Sequence, residues 1–249
     1  MILSTLLGLS LLQTQGIGEA EGYKPSKVKP LELARKADAA LKKLSDAKAV
    51  VDFAVEMPNG KGQTQGFVKI RDADHVAVQF GRVRNILDVS VTPAIRNGDR
   101  AGILLDDGWV TAAPSKLAPM LLPSKGIVAT WPWMGQQYAM CGLMNGSTPF
   151  AYYMSAALAA KEDYKVQVFE RAVKVEGTTY KTIRVVTTRT KSGEKKLGPY
   201  KVAMTFDMGS ALPVTMVSEA KSPRGKVKSL WNARWTGPEK FEDKVFKLP

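Results

Sequence analysis

Cysteine and histidine are almost missing from this chain: Cys141 and His75 are the sole examples among 249 residues. One cysteine excludes an internal disulfide and any multi-cysteine metal site, and one histidine excludes a two-histidine metal site. Also lacking are the nucleophile elbow G-x-S-x-G, the zinc motif H-E-x-x-H, the phosphate loop G-x-x-x-x-G-K-[ST] and the dinucleotide pattern G-x-G-x-x-G. No uncharged apolar run reaches the ~20 residues that cross a bilayer as a helix. Acidic residues are outnumbered, 23 against 36 basic ones, which leaves a formal charge of +13. That excess suits an anionic partner or surface without choosing among nucleic acid, lipid headgroup and polymer. At 45% hydrophobic and 24% charged, the chain is neither disordered nor collagen-like, and it is long enough to bury a substantial core.

The few reactive side chains read as ordinary ones. His75 follows Asp74 between a turn and a strand, as a surface or strand-edge histidine with no nucleophile motif to serve. Cys141 lies in YAMCGLM and reads as a small buried hydrophobe. Asp106-Asp107 precedes Gly108 between apolar runs, which marks a hairpin rather than a metal site. No catalytic residue, metal or cofactor is therefore assigned, and the expected role is non-enzymatic.

The stretch Ile2 to Leu12 has the length of the apolar core of a secretory signal, and Gly18 and Ala20 supply small residues for cleavage after Ala20. Residues 1–20 are expected to be a signal peptide and the product to be exported to the periplasm. Removing them takes away one charge, Glu19, and raises +13 to +14. Residues 21–30, with YKPSKVKP, form an extended basic leader. Leu33, Ala37, Ala40, Leu41 and Leu44 then recur at three and four residues, which predicts one amphipathic helix over 31–45.

Period two follows. Val51, Phe53, Val55 and Met57 alternate with polar or small residues; Asn59-Gly60, Asn97-Gly98 and Asp107-Gly108 mark hairpin turns. Residues 114–160 break this pattern with five prolines and a concentration of Trp, Met and Tyr, and read as short helices, with Phe150 to Lys161 the clearest. Alternation returns from Tyr164, with 192–198 as a charged loop, and runs through Val227, Ser229, Trp231, Ala233 and Trp235. Trp231 and Trp235 fall on the face opposite Lys228 and Arg234, so they do not make a stacking platform for nucleic acid.

Turns this close imply antiparallel hairpins. The fold class is α+β, mostly antiparallel β: a curved half-open barrel of about 10–11 strands, one domain over 31–249, covered by the N-terminal helix and a central helical lid. The Trp/Met segment is either ordinary core or the wall of a hydrophobic cavity.

Several local passages resemble the LolA-like superfamily of periplasmic outer-membrane lipoprotein carriers. They are the helix LARKADAALKKLSDAKAV before AVVDFAVEM, the hairpin LLDDGWVTAAP, the strand pair KVAMTFDMGSALPVTMVSEA and the tail FEDKVFKLP. This chain is longer, more basic and richer in Trp and Met at its middle. The resemblance implies a cavity that takes up acyl chains or lipoprotein, with an inner- or outer-membrane protein partner, in a monomer that does not bind nucleic acid. Phe53, Val55, Phe67, Val78 and Phe80 are expected to line it, and Trp109, Trp131, Trp133, Met134, Tyr138 and Met154 to roof it. The alternative is an envelope sensor or scaffold domain with a filled interior, reading its surroundings through a protein partner.

Overall fold

A computed structural model of the chain describes residues 22–85, 88–105, 107–121, 144, 148–175, 178–222 and 225–249. In chain order these form β1 (Lys24–Pro25), α1 (Pro30–Lys42), β2 (Ala47–Met57), β3 (Gly60–Asp72), β4 (His75–Asn85), β5 (Asp88–Asn97), β6 (Arg100–Leu105) and β7 (Gly108–Ala112). They continue with α2 (Pro114–Leu121), α3 (Pro149–Ala159), β8 (Tyr164–Val175), β9 (Thr178–Arg189), α4 (Lys191–Leu197), β10 (Tyr200–Asp207), β11 (Pro213–Ser222) and β12 (Gly225–Thr236). A 3-10 turn, Asp243–Phe246, follows.

All twelve strands join one antiparallel sheet in the order β1-β8-β9-β10-β11-β12-β2-β3-β4-β5-β6-β7. Neighbours are successive hairpins except where β12 meets β2 and where β1 meets β8, so the two halves of the chain zip together along β12–β2. The sheet is open: β1 and β7 are its ends. This is the mostly antiparallel, half-open arrangement expected, with eleven long strands and a two-residue addition from the leader. Tight turns set the hairpins. At Asn97-Gly98, Gly98 takes φ +61°, a left-handed conformation that glycine adopts without a Cβ clash.

Strict alternation along β2 and β12 sends every second side chain to one face, and these are the buried ones. That inner face carries Ala49, Val51, Val68, Ile70, Val76, Val78, Ala94, Ile103, Val185, Met204, Phe206, Met216, Trp231 and Trp235. It forms one core with Leu33, Ala37 and Leu41 of α1, Leu117 of α2 and Phe150, Tyr153 and Met154 of α3. The helices therefore cover the inner face, as a sheet with one apolar face requires. Phe150 meets Phe206 edge-on with ring centroids 5.5 Å apart.

The outer face is partly apolar too, and chain ends cover it. The C-terminal segment lies over β3–β6: Phe246 stands edge-on to His75 at 6.0 Å and beneath Arg71 at 5.2 Å. A Cβ at Gly102 would sit 2.9 Å from Leu248, so the absent side chain lets the tail approach. Over β8–β10 the leader does the same work. Tyr23 stacks on the Arg184 guanidinium at 4.4 Å, and Arg184 donates through Nε to Thr205 Oγ1 at 3.2 Å. Burial pulls the Arg184 pKa down.

Two elements differ from the sequence-based expectation. Residues 192–198 are not a loop: α4 forms there, with Thr190 accepting from the Gly193 N–H at its start. The first helix ends at Lys42, and its stripe contains a charge, since Asp38 is 2% exposed. The reason is α3. Its own N-cap, Thr148, makes no side-chain cap bond, and Asp38 reaches across to accept from the N–H groups of Phe150 (3.2 Å) and Ala151 (2.8 Å). A carboxylate at a helix N-terminus satisfies orphan donors and complements the helix dipole. One side chain thus clamps α3 to α1.

Burial pushes the Asp38 pKa up to about 6, against the Ala151 and Phe150 N–H groups and Lys42, which pull it down. Because the folded value exceeds the unfolded one, the native state holds the extra proton between pH 3.8 and about 6, so stability from this group falls as pH rises through that window. We expect the urea-unfolding free energy of the wild type to drop by up to ~3 kcal/mol relative to Asp38→Asn between pH 3.8 and 7. Parallel pH profiles for the two proteins would contradict this. Asp38→Ala, which removes the cap altogether, should cost about 1–2 kcal/mol at pH 7.

Candidate functional site

Antiparallel register places inner-face side chains in transverse rows. One row runs Val168, Val185, Met204, Met216, Trp231, Phe53, Thr64 across β8, β9, β10, β11, β12, β2 and β3. The next runs Val166, Thr187, Val202, Ser218, Ser229, Val55, Gly62. The first row is Met, Trp and Phe; the second is small residues and hydroxyls. The Ser218 and Ser229 hydroxyls lie 2.8 Å apart and hydrogen-bond within the buried face.

Beyond the second row the face turns polar on β8 to β10, while on β11 and β12 the same row is Ala220 and Val227. Arg189 donates through Nη1 to the Gly198 carbonyl at 2.6 Å and faces the Tyr200 and Tyr164 rings at 5.2 and 5.9 Å. Burial pushes the Tyr200 hydroxyl pKa up, with Arg189 pulling it the other way. On the β8 to β10 side the inner face therefore grades from a cation held among tyrosines towards the methionine- and aromatic-rich row.

Phe53, Val55 and Val227, with Met57 against them, make a buried cluster separate from the main core. All its members come from the sheet, at the Met57 end of β2 and the start of β12. Here the apolar inner face extends past the side chains that pack with the described helices.

Among the described residues, Trp231 Nε1 and Thr187 Oγ1 on this face are buried without a hydrogen-bond partner. The other buried indole on β12 shows the contrast, since Trp235 Nε1 donates to the Pro213 carbonyl at 2.8 Å. Leaving a buried N–H unpaired costs about 1–3 kcal/mol, so each such atom calls for an explanation.

The expected cavity residues divide. Phe53, Val55 and Val78 lie on the inner face and are buried. Met154 is buried in α3 and packs in the main core. Phe67 is on the opposite face: the Lys69 ammonium sits 4.8 Å over its ring and also near Phe241 of the tail. Trp109 is a second correction. It lies over Gly102 beside Leu248 and Thr111, on the outer face with the tail. Phe80 holds its strand place opposite Thr92, but its side chain lies outside the described residues, as do Trp131, Trp133, Met134, Tyr138 and Cys141. Sequence reasoning missed Trp231, Met204 and Met216 as members of the same surface as Phe53, although their alternation was visible.

His75 is half-buried at the start of β4, with Nδ1 2.8 Å from Asp72 Oδ1. Some basic side chains are paired: Arg71 with Asp243, Arg96 with Asp74 at 2.7 Å, Lys226 with Glu219 at 2.9 Å. Among the described residues no group of three His, Cys, Asp or Glu is placed to hold a metal, and no helix is long and apolar enough to cross a membrane.

No protein-family model matches the sequence, and no curated protein matches it. The chain is similar to several solved structures. A LolA superfamily protein from Nitrosomonas europaea is 12% identical with a TM-score of 0.37, covering 89% of this chain and 98% of that one. LprF from Mycobacterium bovis is 11% identical at TM-score 0.34, covering 87% and 99%. A chain of the Pseudomonas aeruginosa MucA/MucB complex is 11% identical at TM-score 0.40, and the alignment spans 88% of this chain and 60% of that one. The fold itself rests on the strand order and register above.

The facing of the rings has a measurable consequence. Phe53→Ala should cost about 3–5 kcal/mol of unfolding free energy, as for a fully buried ring. Phe67→Ala, at a half-buried outer site, should cost less than half as much. Equal losses in urea titrations would contradict this placement.

Proposed function

We propose that the protein is a periplasmic, non-enzymatic binding or carrier protein that holds acyl chains, of a lipoprotein or another lipid, against the inner face of the sheet. The observation that carries this reading is the second apolar cluster, Phe53, Val55 and Val227, built wholly from the sheet and apart from the helix-packed core. In the same transverse row as Phe53 stand Met216 and Met204, whose unbranched side chains re-pack around ligands of varying shape. Each methylene buried there contributes ~0.8 kcal/mol, so a short stretch of chain suffices for useful affinity. The hydroxyl row and the Arg189–tyrosine end supply a polar boundary for the other end of an amphipathic ligand. Export by the N-terminal segment would place the protein among membrane-derived acyl donors, with an inner- or outer-membrane protein as the exchange partner.

A second reading, a sensor or scaffold domain that binds a protein partner, is favoured by one observation. Met204, Met216 and Trp231 are each less than 5% exposed, as in a filled interior. The two readings part on the ligand. Protein purified without detergent should show, in native mass spectrometry, an added acyl mass that solvent extraction removes and phospholipid vesicles restore. Protein that carries none and takes up none supports the filled interior instead.

A further inference from the structure

Trp231 occupies the centre of the Met/Trp/Phe row, between Met216 of β11 and Phe53 of β2. It is 2% exposed, and among the described residues its Nε1 hydrogen meets no acceptor. Every neighbour across the ladder is apolar, so neither the row nor its backbone, whose groups are used by the strand pairing, offers the indole an oxygen. Trp235, four residues on and on the same face, has its acceptor in the Pro213 carbonyl. Phenylalanine would fill Trp231's position without an orphaned donor. A donor that can only donate, flanked across the ladder by Met216 and Phe53, is suited to an acceptor that arrives on an apolar carrier.

We propose that the Trp231 indole N–H donates a hydrogen bond to the carbonyl oxygen of a bound acyl group, and so fixes where the head of the acyl chain sits on the inner face. The proposal rests on the acyl-binding reading and adds its anchor. The carbonyl is the acceptor common to a fatty acid and to an acyl ester, and it is the one polar group that both bring into an apolar site. With the oxygen at Trp231, the first methylenes lie against Phe53 and Met216, and the Ser218–Ser229 pair of the adjacent row borders the polar substituent beyond the carbonyl. The Thr187 hydroxyl is three strands from Trp231, roughly 14 Å at the usual inter-strand spacing, and lies beyond the same oxygen's reach. The hydrogen bond is made in a water-poor place, where it discriminates strongly between ligands with and without an acceptor.

The test compares wild type with Trp231→Phe on three probes: oleic acid, methyl oleate and diphenylhexatriene, which is apolar and has no oxygen. Fluorescence titration of diphenylhexatriene and its displacement by the two acyl probes give all three affinities. The expected result is about tenfold weaker binding of oleic acid and methyl oleate to Trp231→Phe, with diphenylhexatriene changed less than twofold. Weakening confined to oleic acid would still support the anchor but assign it to the carboxylate. Equal weakening of all three probes, or of none, overturns the proposal while leaving the acyl-binding reading standing. Failure of the wild type to bind any of the three overturns that reading, and the anchor with it. A second measurement is independent of whether the variant folds. In the wild type the Trp231 indole proton, assigned by triple-resonance NMR, should move downfield on adding methyl oleate. An unmoved resonance under saturating probe overturns the proposal.

Discussion

A single antiparallel sheet with one apolar face cannot stand uncovered, and the rest of the structure answers to that constraint. Strand alternation directs Ala49, Val51, Phe53 and Val55 of β2 and Val227, Ser229, Trp231 and Ala233 of β12 to the same side. The β12–β2 pairing then joins the two halves of the chain into one continuous surface. Helices α1 and α3 lie on it and share its core. Their mutual attachment depends on an unusual element, a carboxylate from α1 serving as the cap of α3. That bond places a charge where burial disfavours it, which couples the seating of the cover to pH between 3.8 and about 6.

The face so covered is not uniform. Its Met, Trp and Phe row gives way to a row with three hydroxyls, and at β8 to β10 to the Arg189–tyrosine end. A purely structural core has no need of an indole N–H without an acceptor or of a threonine hydroxyl without a partner. These features, with the sheet-only cluster at Phe53, Val55 and Val227, set the acyl-binding reading above a plain packing role. The outer face, by contrast, is closed by the chain's own ends: Tyr23 over Arg184 on one side, Phe241 and Phe246 over Lys69 and Arg71 on the other.

Much of the fold was legible in the sequence because period two is a direct consequence of strand geometry. The antiparallel sheet, the first helix and the hairpin turns follow from it, as do the facings of Phe53, Val55 and Val78. The errors have local causes. In GFVKI two adjacent apolar residues, Phe67 and Val68, leave the parity undecided, and the tail supplies Phe67 with apolar cover on the outer side. Trp109 and Val110 repeat that ambiguity, with Gly102 making room for the tryptophan and Leu248. The role of Asp38 was not legible, because its partners are 112 and 113 residues away. The helix at Lys191–Leu197 was hidden by glycine, which Gly193 needs because a Cβ there would lie 2.3 Å from the Asp163 carbonyl.

The claim at the centre of this account is that an acyl chain lies on the inner face. A fatty acid bearing a diazirine midway along its chain, bound to the protein, irradiated and mapped by peptide mass spectrometry, addresses it most directly. The account predicts labels on β2 and β12 at Phe53, Val55 and Trp231, suppressed by excess unlabelled fatty acid. Saturable labelling at Phe67, Trp109 or Leu230, on the opposite face of the sheet, would contradict it.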